Sequence, residues 1–177
     1  GRDLTGVKLR GIDLTDKDLT DTILREADLT DANLTGVDLS GMDLTGTILR
    51  GVDLTDTDLT GPILSWADLT TTDLTETNLS DTILFRTNLS GMDLRPFTFT
   101  NADFGHAILS KSKLADSLLV DNNFDYAILQ NINFAGKDLS GSSFQQAKLD
   151  GSDMQNTDLH ETNFVQVDFT KIKNKSL

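Results

Sequence analysis

One apolar side chain returns every five residues through almost the whole chain. From Leu4 to Phe169, every fifth residue is Leu, Phe or Met, which gives 34 positions with 26 Leu, seven Phe and one Met. No insertion or deletion interrupts this phase. An α-helix repeats every 3.6 residues and a β-strand every two, so neither keeps one face apolar in steps of five. The chain must therefore return to the same orientation once in every five residues.

The other positions of the repeat also have a constant character. With the apolar centre called i, residue i−1 is Asp at 16 of the 34 positions and Asn at six more. Residue i+1 is usually Thr or Ser in the first half, and residue i−2 is often small or apolar. Twelve of the thirteen glycines occupy i+2, and only Gly105 does not. Glycine confined to one phase indicates a corner that needs unusual backbone dihedrals.

The quintets resemble the loose motif A(D/N)LXX of the pentapeptide-repeat family. The motif appears as "ADLTD" at 27–31, "ANLTG" at 32–36 and "ADLTT" at 67–71, and the resemblance covers residues 1 to about 172. It implies an all-β fold, a right-handed quadrilateral β-helix (β-solenoid) with four pentapeptides per coil. Dividing 34 repeats by four gives about eight and a half coils. Residues 1–172 are then a single domain, residues i and i−2 point inward, and residues 173–177 form a C-terminal tail.

In such a solenoid, residues twenty apart lie on the same face, so the interior can be predicted from the sequence. One inward column changes from Leu to Phe midway: Leu4, Leu24, Leu44, Leu64, Leu84, Phe104, Phe124, Phe144 and Phe164. This column predicts a stacked aromatic spine in the second half. The segment "RPFTFT" places Phe97 at an inward i−2 position and Pro96 at a corner. Because stacked coils bury these ladders together, one coil alone would not be stable.

The sole Trp and the sole Tyr are predicted to lie on one outward edge. Trp66 is at i+2, and steps of twenty lead from it to Arg86, His106 and Tyr126. Apolar residues are predicted to flank this column, with Ile at i−1 where Asp or Asn usually occurs and Phe85 at i+1. We call the combined set the ridge: Trp66, Arg86, His106, Tyr126, Ile63, Ile83, Phe85, Ile108 and Ile128. Trp, Tyr and Arg carry much of the binding energy of protein interfaces, so the ridge is predicted to bind a partner.

A second interpretation of the ridge stays open at this point. Outward Ile and aromatic residues also pack on their neighbours in adjacent coils and stiffen a wall without any partner. Ile23 and Ile48 are also predicted to point outward but lie outside the ridge, which favours that interpretation.

Composition excludes several classes of function. The net charge of −13 disfavours direct binding to nucleic acid or to an anionic membrane. There is no cysteine, and His106 and His160 fall on different faces, so they cannot share a metal ion or a proton relay. A repeat without insertions also offers no cleft in which a nucleophile, base and orienting group could converge. We therefore expect no enzymatic activity, no cofactor and no metal.

These observations predict a noncatalytic protein-interaction scaffold, one module of a larger bacterial protein or effector. The repeat runs to both ends without caps, which also predicts an end-to-end homodimer. No signal peptide or transmembrane segment is visible, so the expected location is the cytoplasm, or outside the cell as a secreted effector. The alternative is an acidic DNA mimic that binds a type II topoisomerase, as a gyrase inhibitor or quinolone-protection protein, which the resemblance also implies. However, 16 of the 28 acidic residues follow from the repeat itself.

Overall fold

The computed structural model describes residues 1–75, 77–97, 99–114 and 120–174. Two short strands, β1 (Asp93–Leu94) and β2 (Lys113–Leu114), pair in parallel with Asp93 opposite Lys113. Elsewhere single parallel bridges connect residues twenty apart, from Asp3 opposite Ile23 onward, with turns between them. In the part of the chain described here, no helical segment has the length and hydropathy to cross a bilayer.

Backbone hydrogen bonds connect each coil to the next. The amide of Leu64 donates to the carbonyl of Ile83 at 2.8 Å, and the amide of Ile83 donates back to the carbonyl of Pro62 at 3.2 Å. The pattern recurs along the chain, so backbone groups that face neighbouring coils are paired. Because the bridges join residues twenty apart, four quintets complete one coil, as the repeat predicts.

The predicted inward positions form the core. The apolar centres are buried in the described coils from Leu19 to Met154, and most i−2 residues are buried with them. The first coil differs, because Val7 is 37% exposed and Lys17 is exposed as well. That coil packs against another coil on one side only, so its i−2 positions have fewer neighbours to cover them.

The predicted aromatic spine is present. The rings of Phe104 and Phe124, and those of Phe124 and Phe144, stack with centroids 4.8 Å apart, and Phe144 stacks on Phe164 at 5.3 Å. Phe97 also points inward, as predicted, and is only 6% exposed.

The corners explain the polar part of the repeat. In the first coil, Oδ1 of Asp3 accepts a hydrogen bond from the amide of Thr5 at 3.0 Å, and the same Asx turn follows many other i−1 Asp and Asn residues. The i+2 residue then adopts a left-handed conformation, with φ of 73° at Gly91 and 58° at Asp81. Gly, Asp and Asn tolerate that conformation best, so they dominate the phase.

Parallel pairing continues slightly beyond the predicted end of the repeat. Lys173 pairs with Asp153, and its amide donates to the carbonyl of Ser152 at 2.8 Å. Residues 175–177 of the predicted tail lie outside the described residues.

Candidate protein-interaction surface

The first half of the ridge is built around Arg86. Its guanidinium carbon lies 4.5 Å from the ring centroid of Trp66 and 5.4 Å from that of Phe85. A guanidinium over an aromatic face at this distance is attracted by the ring quadrupole, and the contact holds the Arg side chain flat. The indole is nevertheless 57% exposed, so Trp66 points outward as its position in the repeat predicts.

The second half of the ridge is a stack of rings. The imidazole of His106 lies parallel to the phenol of Tyr126, with centroids 4.6 Å apart and an angle of 6° between the planes. Phe85 meets His106 edge to face at 5.1 Å, and thus connects the two halves. Gln146 Nε2 lies 3.4 Å from the Tyr126 hydroxyl oxygen in the next coil. The column is therefore a continuous array over successive coils.

The corner geometry fixes the direction of these side chains. Trp66, Arg86, His106 and Tyr126 all have left-handed φ values, between 57° and 63°. The amide of Trp66 donates to the carbonyl of Phe85 at 2.9 Å, and that of Arg86 to the carbonyl of Gly105 at 2.9 Å. Because each corner residue is hydrogen-bonded to the following coil, the side chains project in register.

The isoleucines of the ridge lie on the two faces that meet at this corner. Ile63 is bridged to Ile83 on one face, and Ile108 to Ile128 on the other. Ile83 is 38% exposed, whereas the other three are half-buried because each packs on residues of the coils above and below. Phe85 and His106 are half-buried too. The structure thus brings all nine predicted residues together, with Trp66, Arg86, Ile83 and Tyr126 the most accessible.

Sequence reasoning missed one residue that shapes the ridge. Gly105 is the glycine outside the common phase, and it has no left-handed φ that would require glycine. A Cβ atom at this position would lie 3.1 Å from Cδ2 of Phe85 and 3.0 Å from Oδ1 of Asp103. The missing side chain therefore makes room for the Phe85 ring beside His106. Its departure from the glycine phase was the available signal.

The ridge is aromatic, aliphatic and cationic in its chemistry. Among the residues that the structure describes, no three His, Cys, Asp or Glu side chains cluster as metal ligands would. His160 lies away from the ridge, with Nε2 3.5 Å from a Glu161 carboxylate oxygen on the exposed surface. Flat rings, one stacked cation and branched aliphatic flanks offer apolar area and cation–π contacts.

These observations define a class of protein, the parallel β-helices with twenty-residue coils and an apolar ladder inside. The model for pentapeptide repeats matches the sequence in eight copies, over residues 3–41, 22–61, 38–75, 63–95, 99–136 and 138–173. The chain therefore belongs to the pentapeptide-repeat family, whose solved members form right-handed β-helices. The sequence has no significant match among curated proteins.

Solved structures of pentapeptide-repeat proteins resemble the chain over most of its length. QnrB1, a plasmid-mediated fluoroquinolone resistance protein, is 16% identical with a TM-score of 0.54, over 99% of this chain and 88% of that one. HetL of the cyanobacterium Nostoc sp. strain PCC 7120, involved in heterocyst differentiation regulation, is 29% identical with a TM-score of 0.47, over 96% and 88%. Rfr23 of the cyanobacterium Cyanothece 51142 is 19% identical with a TM-score of 0.31, over 96% and 89%. The likeness to QnrB1 concerns the fold.

Proposed function

We propose that the chain is a noncatalytic protein-interaction scaffold that binds a partner protein through the ridge. The supporting observation is the continuous array of Trp66, Arg86, Phe85, His106 and Tyr126 on one edge of a rigid coil stack. Rings held in place by their neighbours lose little side-chain freedom when a partner binds, which favours affinity. The finer architecture, a quadrilateral solenoid of about eight and a half coils within one domain, belongs to the same proposal.

Several ridge residues lower local stability through their backbone conformation or through a hydrogen bond that they cannot make. A left-handed conformation costs an ordinary residue roughly 1–2 kcal/mol, and Trp66, Arg86, His106 and Tyr126 adopt it at the same corner of four successive coils, as corner residues do in other coils. The flanking Ile side chains also have no acceptor for the Asx turn, a hydrogen bond worth about 0.5–1.5 kcal/mol. Wall packing recovers part of these costs.

The partner that fits is a protein with a basic surface around an apolar contact. The scaffold has a net charge of −13, and carboxylates at Asp103 and Asp125 lie in the same coils as the ridge. Such a field attracts a positively charged partner and repels an acidic one, while the aromatic residues supply the buried contact. We place this scaffold as a module of a larger bacterial protein or effector. An end-to-end homodimer stays a prediction, which light scattering of the purified chain tests.

The experiment is a comparison of captured proteins from a bacterial and a host lysate. The double variant Trp66→Ala with Arg86→Ala removes two solvent-facing ridge side chains, so we expect the thermal midpoint to change by only a few degrees and specific capture to be lost. The matched control, Ile23→Ala with Arg25→Ala, removes an exposed apolar residue and an Arg from an earlier coil and should keep capture. If both variants capture the same proteins as the wild type, the ridge is only wall packing.

The alternative proposal is an acidic mimic of DNA that binds a type II topoisomerase. The net charge of −13 favours it, but the Asx turns give a local reason for many carboxylates, because Asp3, Asp13 and Asp53 each hold a corner amide. A supercoiling assay with purified gyrase separates the proposals. A mimic inhibits or protects the enzyme at micromolar concentration, whereas a scaffold leaves supercoiling unchanged.

A further inference from the structure

Four cationic side chains line one pocket on this acidic protein. The pocket has a volume of about 390 Å³, and its lining includes Arg95, Lys111, Lys113 and Lys137 together with the amides Asn131 and Asn133. These residues belong to the fifth to seventh coils and lie on the face between the Lys111 and Pro96 corners, about five to eleven residues along the chain from the ridge column. The cluster is distinct from the ridge and has no part in the proposed function.

Each of the four cations departs from the residues at the same place in preceding coils. At the position of Lys113 the preceding coils have Asp53, Asp73 and Asp93, and at the position of Arg95 they have Thr35, Thr55 and Thr75. At the position of Lys137 they have Thr57, Thr77 and Phe97, with residue 117 outside the described residues. Lys111 follows Gly51, Thr71 and Gly91 and takes a left-handed φ of 63°.

Two of these replacements have a clear local cost. Lys137 occupies an inward position and is only 5% exposed, although burying an ammonium group carries a desolvation penalty. Lys111 adopts a conformation that glycine takes at lower cost.

Two of the four cations of the pocket contact the carboxylate of Asp93. Asp93 Oδ1 accepts from Arg95 Nε at 2.7 Å, and Asp93 Oδ2 lies 3.8 Å from Lys113 Nζ. The hydrogen bond from Arg95 lowers the pKa of Asp93 to about 2, so this carboxylate is ionised at neutral pH. Arg95 and Lys113 therefore share the Asp93 carboxylate, and cationic side chains outnumber carboxylates in the described lining of the pocket.

Neutral donors complete the lining. Oδ1 of Asn133 accepts a hydrogen bond from the amide of Ala135 at 3.0 Å, which orients the Asn133 side chain and directs its Nδ2 elsewhere as a donor. Cations and amide donors around one opening suit the oxygens of a phosphate group, which form strong charge-assisted hydrogen bonds. The volume is at the small end of the roughly 300–1,000 Å³ range of ligand pockets.

We propose that this pocket binds a small phosphate-bearing anion, with Lys111, Lys113, Arg95 and Lys137 as its cationic contacts. The distant carboxylates of the protein do not prevent this, because solvent ions screen charges beyond a Debye length of about 8 Å at physiological salt. A diphosphate group fits the arrangement better than a single phosphate, since its two phosphoryl units can divide the four cations between them.

Calorimetric titration of the full chain with sodium pyrophosphate, at ionic strength held constant with chloride, tests the proposal. We expect saturable binding with a Kd of about 1 mM or lower, and weaker binding of inorganic phosphate. The variant Lys111→Gln with Lys113→Gln changes two exposed side chains and should weaken binding at least about tenfold. Lys8→Gln with Lys148→Gln, which removes the same charge from other faces, should stay within about twofold of the wild type.

Several results would overturn the inference. They are the absence of saturable binding to the wild type, an equal loss in both double variants, and binding of a phosphoserine peptide when pyrophosphate does not bind. Thermal midpoints of the variants verify that they are folded. The ridge variant Trp66→Ala with Arg86→Ala should bind pyrophosphate like the wild type, so failure of this pocket and failure of the ridge are distinguishable.

Discussion

The first and second halves of the chain use the same backbone arrangement with different interiors. In residues 1–94 the inward column that contains Leu64 and Leu84 consists of Leu, whereas beyond residue 99 the same column consists of Phe. The ring centroids of Phe104 and Phe124, and those of Phe124 and Phe144, are 4.8 Å apart. The coil spacing close to 4.8 Å of parallel β-structure is also a favourable stacking distance for rings. The backbone repeat therefore accepts either side chain without a change of register.

The inward neighbours change together with the centres. Pro62 and Thr82 precede the Leu centres, but Ala102, Asn122 and Ser142 precede the Phe centres. In the second half these small polar residues also connect the coils, because the amide of Ala102 donates to Asn122 Oδ1 at 2.6 Å and the amide of Asn122 to Ser142 Oγ at 3.0 Å. Small i−2 residues thus accompany several Phe centres of this column, and Asn122 and Ser142 among them form a buried polar ladder.

The largest expected loss of stability comes from removing one ring of the aromatic spine. Phe124→Ala removes a ring that is 1% exposed and lies between two stacked neighbours, so we expect a loss of about 3–5 kcal/mol in the free energy of unfolding. The matched change in the first half, Leu64→Ala, should cost about 2–5 kcal/mol, toward the lower part of that range. Urea unfolding measures both. A larger loss for Leu64→Ala would break the comparison.

A smaller effect is expected from the buried hydroxyls, which the first half uses at inward positions. Thr87 is fully buried, and its Oγ1 donates to the carbonyl of Leu64 at 2.7 Å. Thr87→Val keeps the shape but leaves that side-chain hydrogen bond unmade, so we expect a loss of about 1 kcal/mol. In the second half, Ser152→Ala removes an analogous bond to the carbonyl of Leu129 and is the control. No loss for either variant would mean that the hydroxyls only fill space.

The smallest expected effect is on acid stability at the boundary between the halves. The pKa of Asp93 is lowered from 3.8 to about 2, chiefly by Arg95, so its contribution to stability is fully present above about pH 4 and is lost as the pH falls through 2. Asp93→Asn retains an oxygen for the corner but does not titrate. Thermal midpoints of the variant should therefore fall less between pH 4 and pH 2 than those of the wild type. Parallel curves would contradict the assignment.

The acid experiment has a natural comparison in the second half. The pKa of Asp138 is lowered by hydrogen bonds from the backbone and hydroxyl of Ser140. Asp138→Asn should have a smaller effect on the midpoint between pH 4 and pH 2, because no cation contributes to the Asp138 shift. An equal effect for both variants would show that the ion pair at Asp93 adds nothing.

The five-residue phase predicted the inward Leu and Phe centres and the outward position of Trp66, and the resemblance to pentapeptide repeats implied the twenty-residue step that aligns them in columns. The sequence also predicted which ridge residues lie side by side. It did not predict that Arg86 lies over two rings or that His106 and Tyr126 lie parallel, because side-chain rotamers depend on contacts between coils. The role of Gly105 and the cationic pocket were missed for a related reason: they require residues from several columns to be considered together.

Because four quintets complete one coil, the number of quintets determines the direction in which each surface faces. An inserted quintet would preserve every inward centre while rotating everything downstream by about a quarter turn relative to everything upstream. Four inserted quintets would restore the original direction and lengthen the rod by about 4.8 Å. Duplication or loss of quintets can thus rotate a binding face relative to an attached domain in fixed angular increments. The core stays the same, because every inward centre keeps its phase.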